Sequence, residues 1–176
     1  MWPGLIKKTP DEKTLEKNKL KNIISLLDGS NQSVRRILSE LRPAILDDYG
    51  LVEALEWLHK QFTLSTSIAV DFINKENELK LPEPIATCIF RICQEAFTNI
   101  TKYSQADKVL TSVSIVHDTV LVTIEDNGKG IDTASMQNKK SFGILGMKER
   151  ILSLNGSFEL VSKPGEGTKI TIILPL

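Results

Sequence analysis

The chain of 176 residues has room for one domain of ordinary size and an additional element. Hydrophobic residues make up 41% and charged residues 25%, which is typical of a folded globular protein and excludes a fibrous or largely disordered chain. Twenty-two Lys and Arg residues balance twenty-two Asp and Glu residues, so charge gives no reason to expect nucleic-acid binding. The sequence has no apolar run of the ~18 residues that span a bilayer and no signal-peptide core, so we expect a cytoplasmic chain without membrane contact.

The N-terminal quarter of the chain differs from the rest in its pattern. Residues 1–13 mix proline, glycine and charge, which predicts a loose tail. Over residues 14–42, apolar side chains recur with heptad spacing, and Asn31 lies in the same seam. This pattern favours a dimerisation helix, but a helix packed on its own domain has a similar stripe, and a turn signal at 28–30 leaves a break open. Pro43 ends the helix, which puts the main domain at residues 43–176.

The main domain alternates between helical and strand patterns. In chain order, the predicted elements are helix 46–62, strand 67–73, helix 82–103, strands 107–116 and 119–126, helix 144–154, and strands 157–162 and 168–174. Residues 132–142 are polar without periodicity and predict a mobile loop. The sum is an α+β fold: a two-layer sandwich of a mixed, mostly antiparallel sheet covered by helices, with an N-terminal helical extension.

The first candidate site lies on the long helix, in the sequence QEAFTN and the residues that follow it. Glu95 and Asn99 are four residues apart and share a helix face, and Lys102 lies one turn further on. A carboxylate, an amide oxygen and an ammonium group in one stripe suit a magnesium–phosphate ligand, because Mg²⁺ prefers oxygen ligands. A solvated helix face with an ion pair explains the same three residues equally well.

Two glycine-containing segments lie at other element boundaries. Residues 126–131, DNGKGI, follow a strand; the carboxylate can accept a hydrogen bond from an exocyclic amine, and the glycines permit close approach to a flat ligand. An ordinary glycine turn is the alternative. Residues 143–147, GILGM, open a helix, where free N–H groups attract an anion such as phosphate. The sequence contains neither a Walker A loop nor a Rossmann fingerprint.

In this order, the segments resemble the ATP-binding domain of sensor histidine kinases, within the superfamily that includes gyrase, Hsp90 and MutL. The helix with Glu95 and Asn99 resembles the N box, DNGKGI the G1 box, GILGMKER the G2 box, and GEGT at 165–168 the last glycine box. The segments QEAFTN, GMKER and LRPAILDDYGLVEAL are similar to sequences of the kinases that signal to helix-turn-helix response regulators. The resemblance covers residues 15–176 and implies a Bergerat-type ATPase fold.

On the phosphate side of a bound ATP·Mg²⁺, the resemblance implies catalytic and metal-binding roles for three residues. Asn99 would ligate Mg²⁺, Glu95 would lie near the metal and the γ-phosphate, and Lys102 would contact phosphate. Residues 132–142 would form a lid that closes onto Gly143 and Gly146.

The lid departs from the family at Ser141, where relatives often have glycine, and this difference would change the mobility of the lid.

On the base side, the resemblance implies that Tyr103 contacts the nucleoside and that Asp126 accepts a hydrogen bond from the adenine amine. Gly128 and Gly130 would line the base, and Thr168 would support it from the far side through water. Ile131, Ile144 and Met147 complete the implied cofactor-binding set.

The function implied is that of the catalytic part of a histidine kinase, which donates the γ-phosphoryl group of ATP to a histidine on a dimerisation domain. The family acts as a homodimer and passes the phosphoryl group to a response regulator. The acceptor in this subfamily is a histidine followed by an acid. His117-Asp118 has that dipeptide but lies at a predicted hairpin tip, and His59 is followed by Lys60. The acceptor histidine is therefore expected to lie outside this chain.

Two other functions remain open. One is a non-enzymatic nucleotide-binding module that dimerises through residues 14–42, and the other is a serine kinase of the anti-sigma-factor type. The sequence also leaves open whether the whole protein is anchored in a membrane.

Overall fold

The computed structural model describes residues 44–76, 79–131 and 142–176. The chain divides into two units between Arg42 and Pro43, and all described residues belong to the second unit. The predicted tail, the heptad helix and residues 132–141 of the predicted lid lie outside the described residues. The domain boundaries therefore stay predictions.

The described residues form helices on one side of an open five-stranded sheet, as predicted. The helices are α1 (Ala44–Tyr49), α2 (Leu51–Thr66), α3 (Glu83–Asn99), which one π-helical turn (Ile100–Ser104) continues, and α4 (Phe142–Ser153). The strands are β1 (Ala69–Asn74), β2 (Lys108–Val116), β3 (Thr119–Asp126), β4 (Ser157–Ser162) and β5 (Thr168–Pro175). Their order in the sheet is β1-β2-β3-β5-β4, and only the β1–β2 pair is parallel. The α+β fold class is confirmed.

The core lies between the helices and one face of the sheet. Alternate residues of β2, β3 and β5 are buried, which is the strand periodicity that the sequence shows. The apolar stripe of α3 and the π-helical turn packs on them; its buried members include Ile85, Ile89, Ile92, Ala96 and Ile100, as predicted. Each fully buried isoleucine contributes about 1.5–3 kcal/mol by removal from water. This packing determines which face of α3 remains for polar residues.

Gly50 divides the helix predicted over 46–62 into α1 and α2. Its φ of 89° lies in the left-handed region, which side-chain-bearing residues rarely adopt. The Gly50 N–H donates to the Leu46 carbonyl, and the Ala54 N–H donates to the Gly50 carbonyl, each at 3.2 Å. Gly50 thus closes one helix and opens the next, while the predicted apolar face, with Leu55 fully buried, still packs in the core.

The two helices that border the site also differ slightly from the prediction. Helix α3 gives way at Ile100 to the π-helical turn, and helix α4 begins at Phe142, two residues before the predicted start. The β2–β3 hairpin turns at His117 and Asp118, as predicted. Within the described ranges, no helix combines the length and the apolar character needed to cross a membrane.

Candidate functional site

Glu95 and Asn99 lie together on the polar face of α3, as their spacing predicts. Both side chains are half-buried, and the Asn99 Nδ2 donates a hydrogen bond to the Glu95 Oε1 at 3.4 Å. This bond uses the amide nitrogen of Asn99, so it leaves the lone pairs of the amide oxygen for another partner. The pair therefore presents one carboxylate and one amide oxygen on the same helix face.

The first turn of α4 lies directly against this pair. A Cβ on Gly143 would overlap the Glu95 carboxylate and would lie 3.5 Å from the Asn99 Nδ2. Glycine at position 143 is therefore what permits the start of α4 to approach Glu95. The structure brings together two segments that the sequence separates by more than forty residues, and it places beside the oxygen pair a helix start, whose first N–H groups have no partner within the helix.

Lys102 and Tyr103 lie on the π-helical turn and are both exposed. The wider i→i+5 turn rotates Lys102 relative to the α-helical spacing on which its prediction rests. Among the residues that the structure describes, Lys102 forms no ion pair with Glu95. The structure thus brings Glu95 and Asn99 together but leaves Lys102 extended into solvent.

Asp126 forms a second polar centre at the end of β3. Its side chain is only 6% exposed, and the Gly128 N–H donates to its Oδ1 at 2.9 Å. Thr168 is its partner across the β3–β5 ladder. Burial raises the pKa of the Asp126 carboxyl above its ordinary value, and hydrogen bonds from the Gly128 N–H and from the Thr168 N–H and hydroxyl oppose that rise. The structure therefore brings Asp126, Gly128 and Thr168 together, as predicted.

The glycines beside Asp126 serve close contacts within the chain itself. A Cβ on Gly128 would overlap the Ser104 carbonyl oxygen, and one on Gly130, whose φ is 70°, would overlap the Lys163 carbonyl oxygen. The Lys129 N–H donates to the same Ser104 carbonyl at 2.8 Å. We expected these glycines to admit a flat ligand. In the structure they let the loop pack between the π-helical turn and the β4–β5 turn, and their contact with a base stays a prediction.

The remaining predicted residues lie at different depths. Ile131, Ile144 and Gly146 are half-buried, and the Arg150 Nη1 would be 3.5 Å from a Cβ on Gly146. Met147 is fully buried and belongs to the hydrophobic core. Packing in the core accounts for Met147, and its predicted role in cofactor binding stays a prediction.

Sequence reasoning missed two residues that hold the DNGKGI loop in place. Asn127 accepts hydrogen bonds from the N–H groups of Asp107 and Lys108 at 3.1 and 3.0 Å, and its amide donates to the Asp107 carboxylate at 2.7 Å. Ser162 accepts from the Ile131 N–H at 2.8 Å and donates to the Gly167 carbonyl at 2.8 Å. A serine at the end of a strand before a glycine-rich turn is a weak signal, because such residues are common in turns.

Neither histidine lies beside these centres. His59 is buried between Phe72 and Phe97, with ring centroids 4.7 and 5.3 Å away, and neither ring nitrogen has a hydrogen-bond partner. Burial lowers the pKa of His59 to about 4. His117 is exposed at the tip of the β2–β3 hairpin. A buried imidazole is inaccessible, and His117 lies on a strand connection and not on a helix.

The oxygen atoms of Glu95 and Asn99 are compatible with a hard divalent cation that takes only a few of its ligands from the protein. In the described parts of the chain, no three His, Cys, Asp or Glu side chains cluster in a way that could hold a metal ion. Mg²⁺ does not need such a cluster, since it usually keeps several waters and is held by one or two protein oxygens together with phosphate groups. The Glu95 carboxylate and the Asn99 amide oxygen fit that requirement.

The two polar centres lie at the end of α3 and at the end of β3 in an open α+β sandwich. The chain belongs to the family described as histidine kinase-, DNA gyrase B- and HSP90-like ATPases, which matches residues 86–176.

Two curated relatives of this chain are histidine kinases. The chain is 36% identical over 157 residues to the signal transduction histidine-protein kinase/phosphatase DegS of Brevibacillus brevis, covering 89% of this chain and 40% of that protein. It is 30% identical over 172 residues to the oxygen sensor histidine kinase NreB of Staphylococcus carnosus, covering 98% of this chain and 49% of that protein. The chain therefore spans less than half the length of these two curated relatives.

A solved structure shows the same fold. The histidine kinase domain of the blue-light activated histidine kinase EL346 from Erythrobacter litoralis matches with a TM-score of 0.59 and 21% identity, covering 69% of this chain and 59% of that chain.

Proposed function

We propose that this chain is the ATP-binding catalytic part of a two-component sensor histidine kinase. It binds ATP with Mg²⁺ and donates the γ-phosphoryl group to a histidine of the dimerisation domain, for relay to a response regulator. The observation that carries this proposal is the approach of the α4 start to Glu95 and Asn99 at Gly143. That contact supplies anion-binding N–H groups beside oxygen ligands, as a nucleotide triphosphate with its metal requires.

The base end of the site recognises adenine through Asp126. Its carboxylate accepts a hydrogen bond from the exocyclic amine, while the N–H groups of Gly128 and Thr168 keep the carboxylate oriented and favour its ionised form. Thr168 supports the base from the far side, and Tyr103, at 45% exposure, contacts the nucleoside. Guanine, which carries a carbonyl oxygen in place of that amine, would face the carboxylate with another acceptor.

The phosphate end positions the group that is transferred. The N–H groups at the start of α4 attract the phosphates, and Glu95 and Asn99 would hold Mg²⁺. When bound, Mg²⁺ neutralises the charge of the phosphate oxygens. Phosphoryl transfer of this kind depends on positioning and charge neutralisation, so this chain needs to supply no nucleophile. Glu95 can accept a proton from the incoming histidine.

The acceptor histidine lies outside this sequence. His59 and His117 are the only two histidines of the chain, the first buried in the core and the second at a hairpin tip. Residues 14–42 form a dimerisation helix in this proposal, and a helix-turn-helix response regulator receives the phosphoryl group.

Titration calorimetry with a non-hydrolysable ATP analogue tests nucleotide binding directly. We expect Mg²⁺-dependent binding, and undetectable binding at millimolar nucleotide by a folded chain would reject the proposal.

The kinase step is tested with γ-labelled ATP and a separate dimerisation fragment of the parent protein. We expect acid-labile phosphohistidine on that fragment and none on the chain alone. Binding without transfer would instead favour the non-enzymatic module, and phosphoserine on a partner would favour the serine kinase.

A further inference from the structure

Ser162, the last residue of β4, links the two glycine-containing segments at the base end of the site. Its half-buried hydroxyl accepts a hydrogen bond from the Ile131 N–H at 2.8 Å, which is the end of the DNGKGI loop. The same oxygen lies 2.8 Å from the Gly167 carbonyl and 3.0 Å from the Thr168 Oγ1, at the start of β5. The Ser162 side chain therefore joins Ile131, at the end of the loop, to β5, the strand that pairs with Asp126 at the start of the loop.

The contacts of Ser162 connect the end of the DNGKGI loop to the residue that faces its first carboxylate. The Ser162 hydroxyl accepts from the Ile131 N–H and donates to the Gly167 carbonyl, and its oxygen lies 3.0 Å from the Thr168 Oγ1, where either hydroxyl can be the donor. Thr168 is the partner of Asp126 across the β3–β5 ladder. The contacts thus connect Ile131 through Ser162 and Thr168 to the position of Asp126.

We propose that Ser162 is a positioning residue for adenine recognition, acting through Thr168 on the Asp126 carboxylate. This proposal rests on the proposed function. Ser162 fixes the Thr168 side chain beside Asp126, and the Gly128 N–H holds the Asp126 Oδ1, so that the other carboxylate oxygen can accept from the exocyclic amine of the base. It also holds Ile131, so that the loop that begins at Asp126 has both of its ends tied to the same strand pair.

The first test compares ATP with inosine triphosphate, which has a carbonyl oxygen in place of the exocyclic amine. Ser162→Ala in the full chain should weaken ATP binding about 5- to 10-fold and leave inosine triphosphate binding within about twofold. Ser162→Thr, which keeps the hydroxyl, should restore the preference for ATP. Ser157→Ala, at the exposed start of the same strand, is the matched control and should change neither affinity. Equal weakening of both nucleotides would show a merely structural role and would overturn the proposal.

The second test does not use nucleotide. Amide hydrogen exchange at Ile131, followed by NMR, should accelerate in Ser162→Ala and return toward the original rate in Ser162→Thr. Unchanged exchange in Ser162→Ala would overturn the proposal, because Ser162 would not hold the loop. If the unmodified chain binds neither nucleotide, the proposed function fails and the positioning role fails with it, while the exchange data still report whether the tether exists.

Discussion

The two ends of the site differ in how firmly the fold holds them. At the base end, Asp126 is nearly buried, and backbone groups from two segments bond its carboxylate. At the phosphate end, Glu95 and Asn99 are half-buried and share one long hydrogen bond of 3.4 Å. A preorganised base end and a loosely held phosphate end suit a site that recognises one base and rearranges around phosphate and metal. Substitutions at the base end should therefore affect folding and binding together, and those at the phosphate end binding alone.

Gly167→Ala is the strongest test of the rigid base end. Gly167 has φ of 79°, and a Cβ there would overlap the Asp126 carbonyl oxygen. We expect a loss of about 3–5 kcal/mol in the free energy of unfolding, together with loss of nucleotide binding, measured by urea denaturation and calorimetry. Gly165→Ala is the control, because Gly165 has a similar φ of 82° but open space around its Cβ position. It should lose only about 1 kcal/mol, and equal losses at the two positions would contradict the clash.

Acid should weaken the packing beneath the phosphate end. His59 contacts Phe97, which lies between Glu95 and Asn99 on α3, and burial holds the pKa of His59 at about 4 against 6.5 in the unfolded chain. Because the folded-state pKa is lowered, the protonated form favours unfolding, and stability is lost as the pH falls from 6.5 toward 4. We expect this residue to account for about 2 kcal/mol between pH 7 and pH 5. His59→Leu should remove that part of the pH dependence in urea denaturation; an unchanged slope would contradict the burial of a neutral imidazole.

Asp126→Asn should weaken adenine recognition directly at the base end. The substitution exchanges an acceptor oxygen for an amide donor that faces the adenine amine in a nearly buried position. We expect ATP binding to weaken by about 1–3 kcal/mol in calorimetry, with a smaller loss for inosine triphosphate. Unchanged ATP affinity would remove Asp126 from the site.

Asn99→Ala should have the smallest effect on the fold and a specific effect on metal. It removes a half-buried amide with one long hydrogen bond, so the free energy of unfolding should change by less than about 0.5 kcal/mol. Nucleotide binding should weaken by about 1 kcal/mol in the presence of Mg²⁺ and much less in its absence. Thr98→Ala, at the exposed neighbouring position, is the control. Equal losses with and without Mg²⁺ would show that Asn99 is only structural.

Periodicity predicted most of the fold because burial leaves a direct trace in the sequence. The alternating residues of β2, β3 and β5 and the apolar stripe of α3 lie where their spacing indicates. The break at Gly50 was missed because the apolar spacing continues across it, and only the left-handed φ of that glycine separates α1 from α2. The π-helical turn at Ile100–Ser104 was missed for a similar reason, since its residues fit an α-helical pattern.

The sequence by itself determined the α+β class and the two polar centres, because Glu95–Asn99 and Asp126–Gly128 are local pairs whose spacing brings their polar groups together. Only the tertiary structure decided that Gly143 lies on Glu95, that Thr168 faces Asp126, that Gly128 packs on Ser104, and that Ser162 joins the loop to β5. These contacts depend on helix packing and strand register, which join residues distant in the chain. A single sequence carries no record of such distances, and the fold brings these residues within hydrogen-bond range.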